Sequence, residues 1–179
     1  MSISALVLLS SLATSPAAPE VAPEVSEPPR HQLSLYGRSG ASIYLSAART
    51  HGGVGGGFGL RDTVDGRWLL QVDANALTGL GSAFAVRVGA GVQRQGWWAP
   101  AALVSLTGLF GDRLDFLTPE HPVAVAGPSV GLGLTLAPAR FTLGKAQVSV
   151  FELGLGVGTD SPGLGLLYGL TLLEVGVAL

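Results

Sequence analysis

The chain has 179 residues, 47% of them hydrophobic and only 12% charged, with 27 glycines, no cysteine and a formal net charge of -2. A soluble domain carries about twice that charged fraction, a near-neutral chain lacks the basic footprint of a nucleic-acid binder, and the absence of cysteine excludes a disulfide framework and a thiolate metal site. No run of about 20 apolar residues occurs, so a spanning helix does not explain the composition, whereas a closed β-barrel does, because closure pairs every backbone polar group in a medium without water.

Ile3 to Leu12 (ISALVLLSSL) is a short apolar run followed by small residues. It reads as a signal-peptide core with cleavage after Ala17, giving a leader over 1–17. No Lys or Arg precedes the run. Residues 18–30 are rich in proline and carry Glu20, Glu24 and Glu27. This composition buries too little apolar surface to offset its ordering entropy, which predicts a disordered linker leaning to polyproline II.

From His31 to Leu179 the hydrophobic pattern has period two. Val130, Leu132, Leu134 and Leu136 share one face, against Ser129, Gly131, Gly133 and Thr135. Phe84, Val86, Val88, Ala90 and Val92 oppose Arg87, Gly89 and Gly91. Phe151, Leu153, Leu155 and Val157 oppose Glu152, Gly154 and Gly156. A soluble sheet carries Lys, Glu and Thr on its wet face, but here the second face is mostly Gly, Ala and Ser. Small residues suit the interior of a narrow barrel, where side chains fill the lumen. Apolar-out, polar-in alternation is the pattern of a transmembrane barrel.

Turn signals divide the region into eight strands, near Leu33–Ala47, Gly53–Arg61, Arg67–Leu77, Ala83–Gln93, Trp97–Leu109, Val123–Leu136, Ala146–Gly158 and Leu164–Leu179. The connections are Arg49–Gly52, Asp62–Gly66, Thr78–Ser82, Arg94–Gly96, Phe110–Pro122, Ala137–Lys145 and Thr159–Gly163. Near Leu172 the alternation changes phase, which predicts a bulge. An even strand count puts both chain ends on the periplasmic side. The longest and most polar connection, residues 110–122, then falls outside the cell and is a surface for an extracellular partner. Trp68, Trp97 and Trp98 flank periplasmic turns, and Phe141 lies in one, as a girdle at the headgroup level requires.

On this pattern, over His31 to Leu179, the chain resembles the small, eight-stranded outer-membrane β-barrels of bacteria. The resemblance rests on pattern and not on a motif. It implies a closed, antiparallel, up-and-down barrel in the bacterial outer membrane. Its implied partners are outer-membrane lipid and the barrel-insertion machinery, with a monomeric state. Such proteins end on an aromatic residue, and this one ends Val177-Ala178-Leu179.

The search for chemistry yields no catalytic set, metal site or cofactor site. Gly52–Gly59 (GGVGGGFG) contains no G-x-G-x-x-G, and no Gly-Lys-Ser/Thr follows, so it reads as a strand lining a tight lumen or curving in the wall. His31, His51 and His121 fall at the linker edge or in connections, and no strand phase supports a pairing of His51 with Ser46. The strongest constellation is electrostatic. The inward phase places Arg38, Arg61 and Arg87 in the lumen with Asp73, Glu152 and Glu174. Unpaired charges there are expensive, and a hydrogen-bonded network is tolerable. The sequence therefore predicts a non-enzymatic structural or surface-interaction barrel with a filled lumen. The alternative is a narrow porin-like channel for small solutes.

Overall fold

A computed structural model describes residues 30–115, 123–160 and 163–179. The expected leader and nearly all of the expected linker lie outside these residues, as does 116–122 of the expected external loop. Nine strand segments follow one another: β1 His31–Ser46, β2 Arg49–Val64, β3 Trp68–Gly79, β4 Ala83–Gln93, β5 Ala101–Asp115, β6 Val123–Ala137, β7 Ala139–Leu143, β8 Ala146–Thr159 and β9 Leu164–Ala178. All neighbours are antiparallel, in the order β6-β5-β4-β3-β2-β1-β9-β8, and β6 pairs with β8 to close the barrel. β7 also pairs with β8, continuing the β6 register beyond Pro138. β6 and β7 are thus one interrupted strand, and the barrel has eight staves.

Proline sets that interruption. It offers no N–H to a ladder and is confined to irregular positions. Pro138 falls opposite Phe151, whose φ of 63° lies in the left-handed region. On the next stave Leu172 is the extra residue where the β1–β9 register shifts at Ser39/Gly40. A seam of irregular backbone thus runs across three adjacent staves. At each crossing two consecutive residues avoid the lumen: Pro138–Ala139, Val150–Phe151 and Leu172–Leu173. The residues that flank them point inward three apart: Ala137 and Arg140, Ser149 and Glu152, Thr171 and Glu174. The phase change expected near Leu172 is one part of this seam.

The ends differ. Both described termini lie at one end, where Asp65 N donates to Arg30 O and Leu179 N donates to Leu33 O. Asp65 and Gly66 both have positive φ, 54° and 65°, in the three-residue turn between β2 and β3, where Arg67 N donates to Val64 O. At the opposite end the β3–β4 hairpin is short. Above it β2 and β5 pair directly, Arg49 with Asp115, Thr50 with Leu114 and His51 with Arg113. Gly52 and Gly53 (φ 113° and 152°) bend β2 inward, and Gly111 (φ 109°) does the same in β5 after a register shift. The staves therefore draw together across the mouth.

Several expected boundaries need correction. Residues 49–52 and 110–115 are strand, not connection, because the ends of β2 and β5 find each other as partners. His51 accordingly sits in β2 and is buried, not in an exposed connection. The expected Ala137–Lys145 connection is mostly β7, and its turn is confined to Gly144 and Lys145. The fifth strand begins at Ala101 rather than Trp97, because Pro100 breaks the ladder. Trp97 to Ala99 continue beyond that break and bond to β7, with Ala99 N on Arg140 O and Thr142 N on Trp97 O.

Candidate functional site: the lumen charge network

Alternation sorts the side chains by face. Leu, Val and Phe residues crowd the outer wall, with Phe58 74% and Leu132 55% exposed. The inner face holds most of the charged groups that the strands carry, and Arg61, Asp73, Glu152 and Glu174 are each 2% exposed or less. An inverted distribution of this kind is stable only where the outer medium is apolar.

Asp73 is the centre of one half of the network. It is the register partner of Arg87 across the β3–β4 hairpin. Arg87 Nε donates to Asp73 Oδ2 at 2.9 Å, and Nη2 lies 2.8 Å from the same oxygen. Tyr36 Oη donates to Oδ2 at 3.0 Å, and Asn75 Nδ2 donates to Oδ1 at 2.8 Å. Arg38 Nη1 approaches both oxygens at 3.4 Å and donates through Nη2 to Thr171 Oγ1. One carboxylate thus serves two guanidiniums, a phenol and an amide.

The other half forms on the seam. Arg61 Nη2 donates to Glu174 Oε1 at 2.6 Å and Nη1 to Gln147 Oε1 at 2.7 Å. Its Nε and Nη2 share Gln71 Oε1, and its guanidinium lies 4.5 Å from the Tyr36 ring centroid, a cation–π contact that joins the halves. Arg140 Nη2 donates to Glu152 Oε1 at 2.7 Å and stands 3.7 Å from Glu174 Oε1. The lumen thus gathers Arg38, Arg61 and Arg87 with Asp73, Glu152 and Glu174, in two linked halves. Sequence reasoning missed Arg140, which is fully buried. In the sequence its stretch reads as a connection, and the three-residue spacing across Pro138 hides its inward phase. Tyr36 shares the phase of Arg38, two residues along β1, and was legible on that ground.

The network has small neighbours for a reason. An added Cβ at Gly59 would fall 2.4 Å from Tyr36 Cζ and 2.7 Å from Asp73 Cβ. Glycine there is the seat on which the Tyr36 ring rests. Gly59→Ala should cost about 1–3 kcal/mol through overpacking, measured by urea unfolding in lipid vesicles. An unchanged midpoint would show that Tyr36 does not need the seat.

Above the charges, toward the mouth, an apolar plug of Tyr44, Leu77, Ala83, Ala85, Leu109 and Leu167 fills the lumen. Beyond it His51 Nδ1 lies 3.3 Å from Ser129 Oγ, both buried. A pairing of His51 with Ser46, which strand phase does not support, does not form: Ser46 Oγ bonds the backbone of Arg49. Between charges and plug lies a cavity of about 40 Å³, bordered by Arg38, Arg87, Ser105, Thr107 and Leu167. It has room for two or three waters.

At the end bearing the termini, Leu69, Ala101, Leu103 and Ala137 form a second apolar layer. On the outside of that end stand the four expected girdle residues. Trp97 and Phe141 stack with centroids 5.8 Å apart, Trp98 Nε1 donates to Pro138 O, and Trp68 lies 55% exposed.

No family profile matches the sequence, and no curated protein does. Known structures do match. Neisserial surface protein A aligns over 82% of this chain and 97% of its own, with 9% identity and a TM-score of 0.53. The fold is that of a small outer-membrane β-barrel. The N-terminal barrel domain of Pseudomonas aeruginosa OprF aligns over 84% of this chain and 100% of its own, at 11% identity and a TM-score of 0.46. The attachment invasion locus protein Ail of Yersinia pestis aligns over 84% and 99%, at 10% identity and 0.45. An outer-membrane-type barrel with this apolar wall spans lipid.

Proposed function

We propose that this protein is a non-conducting anchor of the bacterial outer membrane that presents its narrowed mouth to the outside as a surface for interaction. The observation that carries the reading is double occlusion of the lumen. The salt-bridged layer around Asp73 and Glu174 fills one level, and the Tyr44–Leu109–Leu167 plug fills the next. The void between them is about 40 Å³, too small to form a path. The β2–β5 pairing over the β3–β4 hairpin supports the same reading, since it narrows the mouth beyond what eight staves would leave.

In this orientation the girdle of Trp68, Trp97, Trp98 and Phe141 faces the periplasm and the mouth narrowed by β2 and β5 faces outside, where a partner would meet it. The monomer presents a complete wall, because closure leaves no free edge. No catalytic step enters the proposal. His51 and Ser129 lie buried beyond the plug, away from the lipid-facing wall.

A narrow channel is the second reading, favoured by one observation: the cavity is polar on its Arg38–Arg87 side. Planar-bilayer recording separates the two. An anchor should give no resolved single-channel steps, and replacing the plug residues Leu109 and Leu167 with alanine should leave it silent, because the salt-bridged layer still fills the lumen. Steps in the unaltered protein would overturn the anchor and favour the channel.

A further inference from the structure

The wall carries a groove at the girdle level, at the break between β4 and β5, where the backbone of Gln93 and Ala101 forms part of its lining. It has a volume of about 480 Å³ and is bordered by Arg67, Val92, Arg94, Pro100 and Ala102. Trp68, Val92, Ala102 and Leu136 form one lipid-facing row across β3 to β6. Ala102 is the smallest member of that row, so the wall dips beside Val92. In the next row Ala90 is again small, between Leu70 and Val104. The two alanines continue the dip along the wall.

Two guanidiniums stand over this dip. Arg67 lies 5.7 Å from the Trp68 ring and Arg94 lies 5.2 Å from the Trp98 ring. Both are exposed, and neither pairs with a carboxylate among the described residues. The nearby Asp65 carboxylate is engaged by the Arg30 backbone N at 2.9 Å. The backbone around the dip is fixed, since Arg94 N donates to Pro100 O and Gln93 N to Arg67 O. Stacking on tryptophan leaves the forked donors of each arginine at the headgroup level, where planar, delocalised guanidiniums recognise phosphate.

From this geometry we propose a site for one anionic phospholipid of the periplasmic leaflet. Its phosphate sits between Arg67 and Arg94, and an acyl chain lies along the dip at Ala102 and Ala90. The charge of the site is complementary to that headgroup, and its floor is apolar where the acyl chain begins. A basic residue near an anionic lipid surface contributes about a few-fold to about tenfold in affinity, and two acting on one phosphate act together. The proposal rests on the membrane-spanning orientation given above.

The test is native mass spectrometry of the folded full chain in detergent micelles, titrated with phosphatidylglycerol. One lipid should remain bound per barrel, and the Arg67→Gln plus Arg94→Gln double variant should bind it about 30-fold more weakly. Lys145→Gln removes a cation from the same end but outside the groove, and should change affinity by less than about twofold. Equal retention by the double variant and the unaltered protein would overturn the site. Displacement of the lipid by an equal concentration of inorganic phosphate would also overturn it, assigning the guanidiniums to a free anion. Folding into vesicles, read from heat-modifiable gel mobility, separates this failure from failure of the orientation. A barrel that does not insert in either form refutes the membrane reading itself, whereas one that inserts but ignores the double substitution refutes only the lipid site.

Discussion

Leu132→Arg should destabilise the barrel in lipid by about 2–4 kcal/mol, the range for arginine on the wall near the bilayer midplane. Leu132 is 55% exposed on the outer face of β6. Its register partners are Leu106 on β5 and Val157 on β8, both exposed and apolar. The row lies two steps beyond the one that contains Trp68 and Ala102, and so deep within the apolar belt. An arginine there has no carboxylate beside it and only its own length with which to reach the headgroups. Leu132→Phe keeps the surface apolar and should change stability little. Equilibrium unfolding in urea with lipid vesicles reads both substitutions. A neutral Leu132→Arg would place that face away from lipid and refute the membrane-spanning reading of β6.

That the outer wall could be assigned from sequence follows from the strictness of period two. In β4 every residue from Ala83 to Gln93 keeps its phase, and the expected bounds coincide with those observed. The same logic put Asp73 and Arg87 on one inner face at equal distance from a turn, and they are register partners. Alternation becomes uninformative where the backbone adds a residue. Across the seam, Arg140 and Ala137 are three apart, as are Glu174 and Thr171. A counted phase then gives the wrong face on one side of the break. Leu172 betrayed its break because two leucines, Leu172 and Leu173, stand side by side. Pro138 did not, since proline beside Arg, Thr, Gly and Lys also reads as a turn. The mouth was hidden for another reason: whether Arg49–His51 pairs with residues 113–115 depends on how short the β3–β4 hairpin is. That is a three-dimensional fact with no local signature.

The seam also explains where the charges lie. A regular strand alternates its inward side chains with outward ones. At the seam two consecutive residues leave the inner face together, which opens a wider interval between inward neighbours. The bulky guanidinium of Arg140 and the carboxylates of Glu152 and Glu174 lie at these widened positions. Local irregularity in three staves thus makes room for a salt-bridged layer that a uniform narrow barrel would crowd.

Asp73→Ala should be more damaging than loss of either arginine it serves, at about 3–5 kcal/mol, the cost typical of leaving buried charge uncompensated. The asymmetry follows from the sharing. Removing the carboxylate leaves the guanidiniums of Arg38 and Arg87 facing each other, and strips Tyr36 Oη and Asn75 Nδ2 of their acceptor. Arg87→Ala is milder, at about 2 kcal/mol, because Arg38 remains 3.4 Å from Asp73 and keeps the carboxylate paired. Arg38→Ala should be milder still, since its two contacts with Asp73 are longer than those of Arg87. The interaction appears in a double-mutant cycle. Asp73→Ala combined with Arg87→Ala removes one of the two stranded cations, so the double loss should fall short of the sum of the singles by about 1–3 kcal/mol. Asp73→Asn is the informative control. It keeps the volume and a carbonyl acceptor for Tyr36 but not the charge, so the part of the loss that persists in this variant is electrostatic. All five proteins are compared by urea unfolding in the same vesicles, with Arg113→Ala at the mouth as a reference outside the Asp73 cluster. Strict additivity of Asp73→Ala and Arg87→Ala would mean that the two side chains, though 2.8 Å apart, contribute independently, and the shared-carboxylate account of the lumen would have to be abandoned.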